Sequence, residues 1–204
     1  MFRNRLLKAL VLVGLTLTLG AASAMASLYY VTVDTSALSG TYGFYASLTD
    51  GGTPGTGNVA LSLFNFGGGA ASGSATNTGG GSGDLSAGFT LSDSANFFSD
   101  VSQSFTAGSQ LGFLLALPDV ADSPTPDHLS IFLLDPAHGA TFSTGNPNFA
   151  GMIEVDLGSA PVANFTFNGE DARLQAPTVQ VVPEPASMLL VGSGLLGFLK
   201  RRKK

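Results

Sequence analysis

Residues 111–117 read Leu-Gly-Phe-Leu-Leu-Ala-Leu, and residues 129–134 read Leu-Ser-Ile-Phe-Leu-Leu. Both runs are nearly continuous in apolar side chains and have the length of strands. A strand of that kind buries both of its faces, so the two runs belong at the centres of sheets. On either side the pattern becomes alternating. Tyr29, Val31 and Val33 alternate with Tyr30, Thr32 and Asp34. Phe44, Ala46 and Leu48 share one face of the next run, Val59, Leu61 and Leu63 a face of the third, and Ile153, Val155 and Leu157 a face of a later one. Phe165 and Phe167 mark another strand, and Thr178–Val182 a last. Gly, Pro, Asn or Asp breaks the runs about every 8–12 residues, and no helical period is sustained, which is an all-β pattern.

The expected body is an all-β domain over residues 27–182, a two-layer antiparallel β-sandwich of jelly-roll type with about nine or ten short strands. Roughly 155 residues bury enough surface for such a core to stand without disulfides, and the chain contains no Cys. Residues 67–83 hold eight glycines in seventeen positions and read as a flexible loop. A second loop, 118–127, carries Pro118, Pro124 and Pro126 and joins the two most apolar strands. No internal repeat is present.

Charge is placed unevenly. Arg3, Arg5 and Lys8 stand at the start and Lys200, Arg201, Arg202, Lys203 and Lys204 at the end, while residues 27–182 carry thirteen carboxylates against one cation, Arg173. A polyanionic body is repelled by nucleic-acid phosphate, so nucleic-acid binding is excluded as a function. Residues 1–26 have the three parts of a secretory signal peptide: a basic start, an apolar helix-forming run from Leu10 to Leu19, and Ala-x-Ala sites that place cleavage by signal peptidase after Ala26 or Ala24. The alternative is an uncleaved N-terminal anchor. At the other end, Ala186–Leu199 is uncharged over fourteen residues. As a helix it would extend only about 21 Å, a short transmembrane helix that flanking Lys and Arg can assist by snorkelling. The positive-inside rule puts both basic ends in the cytoplasm and the body outside.

Pro183-Glu184-Pro185-Ala186-Ser187, the short apolar helix with small residues and the terminal basic cluster together resemble the PEP-CTERM sorting domain. All three elements stand in order over residues 183–204. The resemblance implies export through a signal peptide, then recognition by an exosortase, a membrane-embedded cysteine transpeptidase-like enzyme that cuts near the Pro-Glu-Pro motif. It implies a Gram-negative producer of extracellular polysaccharide and a product bound for the cell surface or matrix. Pro183, Glu184 and Pro185 would form the sorting motif, the apolar helix would hold the chain transiently in the inner membrane, and Lys200–Lys204 would stop transfer. The opening Val31-Thr32-Val33-Asp34-Thr35-Ser36-Ala37-Leu38-Ser39-Gly40 also resembles that of one group of PEP-CTERM proteins, whose β-rich cores have no assigned activity.

The body offers few chemical motifs. Gly55-x-Gly57-x-x-Ala60 has a loose dinucleotide spacing but leads into an alternating strand, where such a motif needs a helix. Gly192-x-Gly194-x-x-Gly197 lies in the apolar tail, where small residues let helices approach closely. His128 and His138, the only histidines, lack metal-ligand spacing and read as loop residues. Glu154 and Asp156 share a strand face that suits solvation as well as acid–base chemistry. Asp119, Asp122 and Asp127 could offer oxygen ligands to calcium, although no EF-hand or calcium repeat is present. Asn164-Phe165-Thr166 is a formal glycosylation sequon that falls in a strand.

No nucleophile elbow, metal cluster or general-base histidine in context is found, so neither enzymatic activity nor a cofactor is expected. The leading expectation is an exported surface or matrix protein, sorted through its C-terminal signal and associated with extracellular polysaccharide. A carbohydrate-binding module on the same sandwich is the alternative. Such sites use aromatic platforms, and here Trp is absent and Tyr29, Tyr30, Tyr42 and Tyr45 are the only tyrosines.

Overall fold

The computed structural model describes residues 27–52, 57–118, 125–135, 140–141, 151–157, 164–167 and 174–183. Every regular element among them is a strand. In chain order these are β1 (Ser27–Asp34), β2 (Thr41–Thr49), β3 (Val59–Asn65), β4 (Ala70–Thr78), β5 (Ser82–Asp84), β6 (Gly88–Leu91), β7 (Phe98–Thr106), β8 (Gln110–Leu117), β9 (Asp127–Asp135), β10 (Ala140–Thr141), β11 (Ile153–Leu157), β12 (Asn164–Phe167) and β13 (Thr178–Val181). They form two sheets, one ordered β13-β1-β8-β3-β6-β5 and the other β12-β11-β9-β2-β7-β4, with β10 paired to β9. The pairings are antiparallel. The chain crosses between sheets at most connections up to β9, so neighbouring strands in each sheet are distant in sequence.

Alternation decides what lies between the layers. Val31 and Val33, Phe113 and Leu115 from the first sheet, and Phe44, Ala46, Leu129, Ile131 and Leu133 from the second, are completely buried. Phe44 ties the layers together. It projects from β2 and meets three rings of the opposite sheet: Phe64 at 5.3 Å and Phe113 at 5.7 Å edge-on, and Phe89 at 6.0 Å stacked. Aromatic pairs at such spacings contribute about 0.5–1.5 kcal/mol each beyond area burial.

The two apolar runs occupy the central positions their composition requires, β8 between β1 and β3 and β9 between β11 and β2. They are not buried on both faces. Leu114, Ala116, Phe132 and Leu134 are half-buried on the outer faces. Neighbours on the same face cover them instead of a third layer: Phe132 packs edge-on against Tyr45 at 5.5 Å, and Leu134 lies directly over Gly43.

Two local expectations are overturned. The glycine-rich segment is not a loop, since residues 70–78 and 82–84 form β4 and β5. Small residues let β4 lie close against β7. At Gly69 an added Cβ would run into the Thr106 carbonyl, and Gly73, with φ of 66°, sits where the β4–β7 register shifts between Ser72 and Thr76. Glycine here serves close approach and a bulge. The strand count accordingly exceeds nine or ten.

Leu63 is the second correction. It does not share the inward face of Val59 and Leu61. The β3–β8 register shifts between Ser62 and Asn65, Leu63 takes a φ of 50°, and its side chain is 73% exposed. The bulge turns Phe64 inward in its place, against Phe44. A left-handed conformation costs an L-residue about 1–2 kcal/mol. Leu63→Gly should therefore leave stability unchanged or raise it by up to about 1 kcal/mol. Leu61→Ala, two positions back and fully buried, should cost about 2–5 kcal/mol. Denaturant unfolding of the two variants checks the contrast, which uninterrupted alternation would not produce.

Candidate functional site

Antiparallel pairing of β9 with β11 sets His128 opposite Asp156 and Ser130 opposite Glu154. All four lie on the outer face, because Leu129, Ile131, Ile153 and Val155 take the inward positions. His128 Nδ1 stands 2.7 Å from Asp156 Oδ1. Its Nε2 is 3.9 Å from Glu154 Oε1, and that oxygen also accepts the Gly151 N–H at 2.7 Å. Sequence reading left His128 in a loop and treated the Glu154–Asp156 pair apart from it. The structure brings them into one constellation on a strand pair, while His138 lies outside the described residues.

A second group is buried. One oxygen from each of Asp50, Asp93 and Asp127 lies within 4.8 Å of the others, on side chains of residues only 8%, 1% and 4% exposed. Asp50 follows β2, Asp127 opens the adjacent β9, and Asp93 follows β6. Backbone donors between β2 and β3 fix them: Gly51 N–H donates to Asp127 at 2.7 Å, Gly52 N–H to Asp50 at 2.6 Å and Gly57 N–H to Asp93 at 3.1 Å. Three carboxylates so close repel one another unless protons or a cation intervene. An all-oxygen donor set matches a hard ion such as calcium, not zinc. The sequence offered Asp127 as such a ligand beside Asp119 and Asp122, which lie outside the described residues. The partners it meets are Asp50 and Asp93.

Gly57, noted above only for a failed dinucleotide pattern, has a role here. A Cβ at that position would strike the Asp127 carboxylate. Ala60 lies on β3, so the strand that argued against a nucleotide fingerprint is present. The sequon residues sit on β12, where Phe165 packs edge-on to Tyr29 at 4.9 Å.

The four tyrosines do not form one platform. Tyr29 and Tyr42 belong to the core. Tyr30 and Tyr45 are half-buried on the outer faces of opposite sheets. Tyr45 is the more constrained: burial first, and then the nearby Asp100 carboxylate, push its phenol above the ordinary range, with Ser47 acting weakly against them.

The end of the body is defined by β13, the outer strand of the first sheet. Tyr29 lies opposite Val181, and Val182 N–H donates to the Leu28 carbonyl at 2.8 Å. Pro183 follows, exposed and without an N–H to continue the ladder. Ser27 begins β1 at the same end of this strand pair. Both termini of the body thus emerge together. Ala24, Ala26, Glu184, Pro185 and Lys200–Lys204, with the expected signal and transmembrane helices, lie outside the described residues. Among the described residues no helix is long and apolar enough to cross a membrane.

Comparison with known proteins finds the PEP-CTERM protein-sorting motif at residues 181–204. No curated protein and no solved structure matches the chain. The chain carries the sorting signal of an exosortase substrate, and the matched segment begins on the last residue of β13.

The buried carboxylates yield a stability prediction. Asp127→Ala removes the acceptor of the Gly51 N–H and should cost about 1–3 kcal/mol. Gly57→Ala, which crowds the same carboxylate, should also destabilise. Urea unfolding measures both, and a neutral outcome for both would show that the cluster does not hold these loops.

Proposed function

We propose that the chain is an exported cell-surface or matrix protein without enzymatic activity, held briefly in the inner membrane by its tail and then processed and associated with extracellular polysaccharide. The observation that carries this reading is the sorting motif at residues 181–204. Residues 1–26 would be removed by signal peptidase after Ala26 or Ala24, leaving a jelly-roll-like body over 27–182. Pro183, Glu184 and Pro185 present the segment an exosortase reads, residues 186–199 retain the chain as a short transmembrane helix, and Lys200–Lys204 stop its transfer.

The local structure suits that sequence of events. The body is hydrogen-bonded through Val182, and Pro183, which has no N–H to donate, stands one residue later, immediately before the rest of the proposed recognition segment. Two prolines around Glu184 favour an extended backbone, the form in which processing enzymes take their substrates. A cut beyond Pro183 would leave β13 in place on β1 and the sandwich whole.

A second reading, a carbohydrate-binding module, is favoured by the Tyr45–Phe132 ring pair on an outer face, flanked by Ser47, Ser130 and Asp100 in register. Aromatic faces and hydroxyl-rich rows suit sugars. Retention on a glycan matrix that falls in Tyr45→Ala and Phe132→Ala would support it, and equal retention would remove it.

Intact-mass measurement of the extracellular form tests the leading reading. A chain beginning near Ser27 and lacking Lys200–Lys204 is expected from cells that contain the exosortase, and the unprocessed tail from cells that do not. Extracellular material retaining Lys204 in both would overturn the proposal.

A further inference from the structure

We propose that the outer face of the β9–β11 pair is a binding site for a divalent transition-metal ion, Cu²⁺ or Zn²⁺, with His128 Nε2 and Glu154 Oε1 as its protein ligands. The site is independent of the sorting signal and of the buried carboxylate cluster.

The geometry begins with Asp156. An ionised carboxylate only accepts hydrogen bonds, and it stands 2.7 Å from His128 Nδ1. The ring proton is therefore held on Nδ1, which leaves the lone pair on Nε2. A histidine that binds metal through one nitrogen while giving the other N–H to a carboxylate is the recurrent arrangement of imidazole metal ligands, because the carboxylate fixes the tautomer and raises ligand basicity. Asp156 is thus a positioning residue and not itself a ligand.

Glu154 supplies the second donor. Its Oε1 lies 3.9 Å from Nε2 and is steadied by the Gly151 N–H at 2.7 Å. Tetrahedral Zn²⁺ with bonds of about 2.0–2.2 Å separates adjacent donors by roughly 3.4 Å, and square-planar Cu²⁺ by roughly 2.9 Å, so rotations of the two side chains close the pair onto one ion. The His128 side chain is 39% exposed and that of Glu154 20% exposed, which gives an open entry path and leaves the other coordination positions to water. No Lys or Arg occurs among the described residues to compete for these carboxylates. One nitrogen and one carboxylate oxygen favour copper or zinc over calcium or magnesium.

The nitrogen ligand separates this site from the all-oxygen cluster. Purified full-length protein in detergent, titrated with Cu²⁺ and followed by electron paramagnetic resonance, should show coupling to one imidazole nitrogen at one equivalent. The chain has two histidines and no Cys, so the assignment needs two variants. His138→Ala should keep the nitrogen coupling and His128→Ala should lose it. Asp156→Asn should weaken Cu²⁺ binding about ten- to a hundredfold, and Glu154→Gln should weaken it while the coupling persists at saturation. His128, Glu154 and Asp156 lie on the outer face of the sheet, and circular dichroism checks that all the variants fold. Should His128→Ala not fold, Asp156→Asn and Glu154→Gln decide the matter. Absence of nitrogen coupling in the unmodified protein, its survival in His128→Ala, or unchanged affinity in both Asp156→Asn and Glu154→Gln would overturn the proposal.

Discussion

Phe44 meeting Phe64, Phe89 and Phe113 is the contact on which the two layers depend. A β-sheet with one apolar face cannot stand alone in water, and its partner must present rings or branched side chains at matching heights. Phe44 is fixed by pairing on both sides, with β7 and with β9. Its three partners come from β3, β6 and β8. One ring therefore holds in register six strands from widely separated parts of the chain. The bulge at Leu63 belongs to the same constraint, since without it Phe64 would point away from Phe44. Local backbone strain is accepted there in exchange for a ring in the core.

That dependence explains which parts of the fold were legible. The central strands β8 and β9 are evident from composition, and the inward faces of β1, β2 and β11 from alternation, because period-two patterning is a local property. The bulge is not local. Val59, Leu61 and Leu63 alternate without fault, and only the demands of the facing layer decide that Phe64 turns inward. The glycine-rich strand fails for a related reason. Glycine is read as freedom because its backbone cost is intrinsic, whereas the entry to β4 gains from what Gly69 lacks, a Cβ where the Thr106 carbonyl must pass. Its mostly exposed residues contribute little apolar signal.

The chemistry was less legible than the fold. Residue types were visible: His128 among two histidines, Glu154 and Asp156 with one residue between them, Asp127 among the acids. Their neighbours were not, because strand register sets them across the sheet. His128 meets Asp156 only because Asp127 pairs with Leu157, and Asp127 meets Asp50 because β9 lies beside β2. Spacing rules for metal or catalytic sites assume helices or tight turns, and they miss donors assembled across a ladder. The C-terminal signal shows the opposite case. Its elements follow one another in the chain, so the residues suffice to recognise it.

The distribution of charge connects the body with its ends. Eight of the nine basic residues lie before Ala26 or after Pro183, and the body holds thirteen carboxylates with Arg173 alone against them. If both ends lie at a membrane as proposed, their basic clusters would be drawn to anionic headgroups at about 1 kcal/mol for each residue near the surface. Removal of the leader and tail in the proposed processing would take away both apolar segments and nearly all of that attraction together. The molecule left behind would be strongly anionic, and such a surface is repelled by anionic lipid and by other copies of itself. Ser27 and Pro183 stand at one end of the β1–β13 pair, and no Lys or Arg occurs among the described residues of the body.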